Sequence, residues 1–289
     1  MSLSKTEKLT IEVALAEDIG KRDITTAIAI DKSTKTKAKI IAKQKGIVCG
    51  MEVAKFVFNQ VNKTTVFKMH KKDGTPVKKN DVVATINGYT RDILAAERVA
   101  LNFLSLLSGI STATKSFVDK VKGTKVKIMD TRKTTPNLRE LEKYAVRVGG
   151  GSNHRLSLYE GIIVKDNHLR AGAYLKNSTE LNDKKISKLI KKFRRKTSKK
   201  IEIEVETLTE LKSLAKHRPD IILLDNFSLT NLKKAVCFRN KYFPKIKLDA
   251  SGRINLKNVR AVARTGVDYI SIGMITHSQS AVDFSLEVS

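Results

Sequence analysis

Arg132, Lys133, His154, Arg155 and Lys165 are cationic or can become so, and Glu204 and Asp225 are acidic. Cations of this kind suit phosphates and carboxylates, and an arginine fork meets a carboxylate in two-point geometry. The acids would repel a bare polyanion. They suit sugar hydroxyls, or the water shell of a Mg²⁺ ion carried on substrate phosphates. A pocket holding both sets fits a phosphorylated sugar together with a carboxylated partner.

What joins these residues is their place relative to short apolar runs. From residue 125 onward a strand-then-helix rhythm predicts strands at 126–129, 145–148, 161–164, 201–205, 221–224, 246–248 and 269–272. Helical stretches at 186–193, 208–216, 229–240 and 256–264 separate most of them. Runs with little alternation suit strands buried on both faces of a parallel sheet. Repeated β-α units of this length predict an α/β fold, either a barrel or a doubly wound sheet, and about seven strands fit a barrel somewhat short of eight. Nearly every run ends in polar residues, and a parallel barrel brings all those ends to one face.

Before residue 95, shorter elements predict a small α+β domain. Helices are expected at 7–17 and 52–61, and strands at 37–43, 46–49, 64–69 and 81–86. A long apolar helix follows over 97–117, with a break expected near Gly109.

The last two strand ends offer a phosphate seat. Asp249-Ala250-Ser251-Gly252-Arg253 and Ser271-Ile272-Gly273 put small residues where barrels hold phosphate on backbone N–H groups. No Cys/His metal spacing surrounds His154 or His168, and no nucleophile elbow, dinucleotide fingerprint or P-loop is present.

The 289 residues are 41% hydrophobic with only 4 Pro, enough for one large or one large plus one small domain without a disordered linker. Cys49 and Cys237 are expected as reduced thiols. The N-terminus lacks a signal-peptide core, and no stretch is expected to reach the ~18 apolar residues of a membrane span, so a cytoplasmic, soluble protein is expected. Asn177-Ser178-Thr179 matches a glycosylation acceptor, a chance match in a cytosolic chain. The net charge of +27 points to anionic partners. The basic run 184–200 carries Ile186, Leu189, Ile190 and Phe193 on one helical face, which predicts an outer helix with a solvated basic side.

Three motifs make the sequence recognisable in this order: Asp130-Thr131-Arg132-Lys133-Thr134-Thr135-Pro136, Gly149-Gly150-Gly151-Ser152-Asn153-His154-Arg155-Leu156, and Lys165-Asp166-Asn167-His168. With Glu202-Ile203-Glu204-Val205-Glu206 and Leu224-Asp225-Asn226, they resemble the quinolinate phosphoribosyltransferase family over nearly the whole chain. The resemblance implies an N-terminal α/β sandwich at 1–110, joined by a C-terminal tail at 276–289, and an incomplete barrel at 111–275. It implies a homodimer with shared active sites. Arg132, His154, Arg155 and Lys165 would hold the quinolinate carboxylates, with Arg98 arriving from the partner chain. Lys133 and Lys165 would reach the phosphates of phosphoribosyl pyrophosphate. Glu204 and Asp225 would bind ribose hydroxyls and the Mg²⁺ shell, and Ser251, Gly252, Gly273 and His277 would seat the 5′-phosphate. Lys133, Lys165, Glu204 and Asp225 are the implied catalytic set, with Mg²⁺ held through substrate and water and no organic cofactor.

The chain departs from the family pattern at Arg22-Asp23, Asn137, Asp249 and Arg253, where Gly-Asp, Gly, Glu and often a small residue are usual. The implied reaction joins the pyridine nitrogen to ribose C1, expels pyrophosphate and releases the 2-carboxylate as CO₂, giving nicotinate mononucleotide for NAD biosynthesis. Two other readings stand beside it. One is a related transferase for another heterocyclic acid. The other is a basic nucleic-acid-binding protein, for which 6% aromatics and no Trp leave few stacking platforms.

Overall fold

Helix α1 (Lys5–Ile19) starts at a capping box: Ser4 Oγ accepts the Glu7 N–H and Glu7 accepts the Ser4 N–H. In the computed structural model, which describes residues 3–176 and 180–288, the chain continues through α2 (Ile24–Ala29), β1 (Lys35–Ala42), β2 (Gly46–Ile47), α3 (Met51–Val61), β3 (Val66–Met69), β4 (Pro76–Val77), β5 (Val82–Tyr89) and α4 (Thr90–Lys120). Then come β6 (Lys127–Met129), α5 (Arg139–Val148), β7 (Ile162–Val164), α6 (Asp166–Ala171), α7 (Asp183–Lys196), β8 (Ile201–Val205), α8 (Leu208–Ala215), β9 (Ile221–Asp225) and α9 (Leu229–Tyr242). The chain ends with β10 (Lys247–Ser251), α10 (Val259–Ala263), β11 (Tyr269–Ser271), α11 (Met274–His277) and β12 (Phe284–Val288). The acceptor-like Asn177-Ser178-Thr179 lies outside the described residues.

Two compact units emerge: Met1–Lys115 with Lys133–Gly150 and Met274–Ser289, and Ser116–Arg132 with Gly151–Gly273. The first unit holds an antiparallel sheet in the order β12-β1-β5-β3 and a small β2-β4 pair. Strand β12 lies along β1, from Ala42↔Phe284 to Ala38↔Val288. Helix α3 begins at Gly50 with no cap of its own, and Asp73 Oδ1 accepts the Gly50 and Met51 N–H groups at 3.0 Å each. Asp23, which keeps the family's aspartate beside the departure at Arg22, caps α2 by accepting the Thr26 N–H at 3.0 Å.

Helix α4 corrects two expectations. It runs unbroken through Gly109, because the missing side chain there admits the chain at Ser280 and Ala281. A Cβ would stand 2.5 Å from the Ser280 carbonyl oxygen and 3.0 Å from Ala281 Cα. By length and composition α4 could also cross a membrane, with a window of mean hydropathy 1.5. That window is 61% buried by the protein itself, which makes α4 a core helix.

The second unit holds a six-stranded, wholly parallel sheet in the order β6-β11-β10-β9-β8-β7. The expected strand at 145–148 is instead the end of α5, whose Leu141, Ala145 and Val146 are buried at helical spacing. The place beside β6 is taken by a single parallel bridge, Met129↔Ser152, with the Ser152 N–H donating to the Ile128 carbonyl at 2.8 Å. Against the expected seven or so, the parallel sheet has six strands among the described residues. Helix α7 buries Ile186, Leu189 and Ile190 and turns its cations outward, as its apolar spacing requires.

Alanine is the better helix former than glycine by about 1 kcal/mol. At Gly109 the close approach of Ser280 reverses that preference. Gly109→Ala is expected to lower unfolding stability by about 1–3 kcal/mol through overpacking, measured as a shift of the urea midpoint at constant slope.

Candidate active site

Parallel pairing delivers the strand ends of the second unit to one edge. Arg132 follows β6, Lys165 follows β7, Glu204 lies near the end of β8, Asp225 ends β9, Ser251 ends β10 with Gly252 next, and Gly273 follows β11. His154 and Arg155 reach the same unit from the loop after the Met129↔Ser152 bridge rather than from a strand. Arg98, Lys133 and His277 belong to the first unit. There Arg98 is exposed on α4, and Thr276 Oγ1 donates to the Lys133 carbonyl at 2.6 Å, so Lys133 and α11 are neighbours.

The His154-Arg155 pair is fixed at many points. Asp130, fully buried, accepts the His154 N–H at 2.9 Å through Oδ1 and the Asn153 side-chain amide through Oδ2. The His154 ring has Nε2 2.8 Å from Glu202 Oε2, and its Nδ1 accepts the Arg155 N–H at 2.8 Å. Arg155 Nη1 donates to the Gly161 carbonyl at 2.8 Å, while its Nε is buried without a partner. Burial, then the charge of Arg132, holds the Arg155 guanidinium below its usual pKa. An anion placed between two such groups would relieve both effects.

Glu202 and Asp249 lie beneath this pair and were not singled out from the sequence. The alternation Glu202-Ile203-Glu204 within one strand carried the clue, since residues two apart share a face. Asp249 accepts from Ser271 Oγ at 2.6 Å through Oδ2, and Glu202 Oε1 and Asp249 Oδ1 are buried without partners. Burial, reinforced by Glu202, pushes the Asp249 carboxyl up to about 7. His154, Glu202 and Asp249 each offer an atom within 4.8 Å of the others.

A second cluster is mixed in sign. Lys165 Nζ lies 3.4 Å from Glu204 Oε2. Burial lifts the Glu204 carboxyl above its ordinary range, Lys165 opposes this, and Asp225 adds to it. Next to Asp225, the Asn226 N–H donates to the Ser251 carbonyl at 2.9 Å. Gly252 packs so tightly there that a Cβ would stand 2.4 Å from Asn226 Oδ1, and its φ of 91° also favours glycine. A cavity of about 280 Å³ opens at this point, lined among others by Asn226, Ser251, Gly252, Arg253 and Asn258.

Comparison with known proteins accounts for the fold. The N-terminal domain profile of the quinolinate phosphoribosyl transferase family matches residues 23–108, and the C-terminal domain profile matches residues 110–287. A probable nicotinate-nucleotide pyrophosphorylase (carboxylating) of Bacillus subtilis is 39% identical over 273 residues, covering 94% of this chain and 90% of that protein. The Mycobacterium leprae nicotinate-nucleotide pyrophosphorylase (carboxylating) is 36% identical over 282 residues, covering 96% of each. The crystal structure of nicotinate-nucleotide pyrophosphorylase from Ehrlichia chaffeensis superposes with a TM-score of 0.90 at 39% identity, over 100% of both chains. With both domain profiles matched in order, and relatives of this identity aligned almost end to end, the chain belongs to the quinolinate phosphoribosyl transferase family.

Proposed function

We propose that the chain transfers the phosphoribosyl group of phosphoribosyl pyrophosphate to quinolinate and releases CO₂, giving nicotinate mononucleotide and pyrophosphate. This is the carboxylating pyrophosphorylase activity, read in the decarboxylating direction, for which its Bacillus subtilis and Mycobacterium leprae relatives are named. The observation that carries the reading to the acceptor is Arg155, partly stripped of water, set near Arg132, and with a buried Nε unfilled. A dicarboxylate supplies the negative charge that this arrangement lacks.

Each group then has a task. Arg132, Arg155 and Lys165 take the quinolinate carboxylates and aim the ring nitrogen at ribose C1, with Arg98 of the partner subunit completing the cradle in a homodimer. Lys133 and Lys165 draw negative charge from the departing pyrophosphate. Glu204 and Asp225 face the ribose hydroxyls as C1 gains oxocarbenium character. Ser251, Gly252, Gly273 and His277 seat the 5′-phosphate. The pyridinium formed by attack accepts the electron pair left when the 2-carboxylate departs as CO₂, and a proton from solvent then fills C2. No side chain forms a covalent bond to substrate.

Mg²⁺ enters as part of the phosphoribosyl pyrophosphate substrate. The residues fit it: Glu204 is raised by burial and by neighbouring Asp225, and a hydrated cation beside the two carboxylates would relieve that strain. The ion supplies charge neutralisation at the phosphates. The protein works in the cytoplasm on this reading.

Purified protein mixed with quinolinate, phosphoribosyl pyrophosphate and Mg²⁺ is expected to yield nicotinate mononucleotide and labelled CO₂ in equal amounts. Absence of both from folded protein that still binds phosphoribosyl pyrophosphate would sink the choice of acceptor. Phthalate, which keeps the two adjacent carboxylates without the reactive nitrogen, is expected to inhibit competitively against quinolinate. Arg155→Ala is expected to raise the KM for quinolinate by about 10- to 100-fold, the range for losing a charge-assisted hydrogen bond, while the KM for phosphoribosyl pyrophosphate moves far less. Equal losses for both substrates would contradict the assignment of Arg155 to the acceptor.

A further inference from the structure

The strands of the parallel sheet start at the edge opposite the candidate active site, and that edge holds a cavity of its own, about 530 Å³. Small-molecule sites span roughly 300–1,000 Å³. Asp220, just before β9, ties its frame together. Its Oδ2 accepts the Ile201 N–H that opens β8 at 2.7 Å, and its own N–H donates to the Ile201 carbonyl at 3.0 Å. Its carbonyl accepts the Lys247 N–H that opens β10 at 3.0 Å. Arg194 Nη2, 2.8 Å from Asp220 Oδ2, balances this acid, and Lys247 Nζ is held at 2.8 Å by Asp268. Lys200, Arg218 and Lys245 line the same cavity, are exposed, and have no side-chain partner among the described residues. Arg218 has a φ of 53°, a left-handed region that a long side chain enters at a cost. The cations stand around an apolar floor in which Pro219 and Ile246 are buried, Phe243 is half-buried and the Tyr242 ring is exposed.

We propose that this cavity is a second binding site, for a nucleoside phosphate whose base lies on Tyr242 and Phe243 and whose phosphates sit among Lys200, Arg218 and Lys245. Exposed cations alone hold an anion weakly, because water and salt screen them. An apolar floor alone takes any apolar body. Together they select a molecule with a flat ring at one end and several negative charges at the other. Single-stranded nucleic acid shares that chemistry but needs a row of aromatic platforms along its path. The neighbouring basic helix α7 offers only Phe193, half-buried, so the cavity suits one free nucleotide. The catalytic candidates gather at the other edge of the sheet, as in parallel barrels generally, so this site binds its ligand without transforming it.

Calorimetric titration of the full chain with ADP, adenosine and inorganic pyrophosphate tests this. ADP is expected to bind more tightly than either fragment. Lys200→Ala and Lys245→Ala are each expected to weaken ADP about tenfold, the scale of one hydrogen bond to a charged group. Tyr242→Ala is expected to weaken ADP and leave pyrophosphate unchanged. All three side chains are exposed, so the urea midpoints are expected to stay put, which separates a lost contact from a lost fold. Photolabelling with 8-azido-ADP is expected to mark residues 242–247. Labelling at Ser251–Arg253 instead would overturn the proposal, because the nucleotide would then occupy the phosphate seat of the candidate active site. Pyrophosphate binding as tightly as ADP, with Tyr242→Ala harmless, would reduce the cavity to a screened patch of cations. A single-stranded oligoribonucleotide that binds far more tightly than ADP, and is lost in Lys188→Glu/Lys192→Glu on α7, would replace the nucleotide site with a nucleic-acid face. Absence of saturable ADP binding would also overturn the proposal. Every readout is binding without turnover, so failure of the assigned reaction leaves the result standing.

Discussion

Bringing Arg155 near Arg132 while stripping part of its water is an unfavourable arrangement, and much of the second unit serves to hold it. Like charges separate, and guanidinium groups stay hydrated, unless surrounding bonds prevent both. Here the restraint comes from below: buried Asp130 grips the backbone at His154, Glu202 grips its ring, and Gly161 grips the guanidinium. The parallel sheet makes this possible, because its register sets β8 and β10 in the same layer through their shared neighbour β9, with Glu202 opposite Ile221 and Asp249 opposite Leu223. On the proposed reading, this placement is what would make the site favour a dianion over a neutral ring.

The gathering of the candidate residues at strand ends was legible because a parallel sheet orders its termini without regard to sequence distance. Lys165, Glu204, Asp225, Ser251 and Gly273 lie at or just beyond those ends. The floor was not legible, since Glu202 and Asp249 are acidic residues inside strands, where composition alone reads them as surface or as motif. Buried carboxylates are recognised by what faces them across strands, and that information is long-range. The helix at 145–148 was missed for a local reason. Ala145, Val146 and Val148 look like a strand in isolation, and only the buried Leu141 four residues before Ala145 reveals helical spacing. Short elements such as α2, β4 and β12 carry too few residues for any period to show.

Two of the departures from the family pattern sit where the backbone is left-handed. Asn137 and Arg253, where glycine or a small residue is usual, have φ values of 64° and 51°. Asparagine enters that left-handed region at small cost, whereas a long side chain such as arginine does so less readily. Asp249 is one methylene shorter than glutamate, and one of its oxygens is left without a partner. Among the departures, Asp249 thus alters a support beneath the candidate site, and Arg253 adds a cation to the lining of the cavity beside Ser251 and Gly252.

Strand β12 pairs with β1, so that Val288 lies opposite Ala38. The first unit is therefore closed by a strand that leaves the ribosome after every residue of the second unit. The residues of the second unit have all emerged by then and can fold first, while β1 waits with one edge open. An exposed edge is a template for pairing with another chain, and contacts this distant in sequence form slowly. Nascent protein thus passes through a period in which β12, once made, competes with neighbouring molecules for the same row of backbone hydrogen bonds, and any stall in translation before residue 284 lengthens that period.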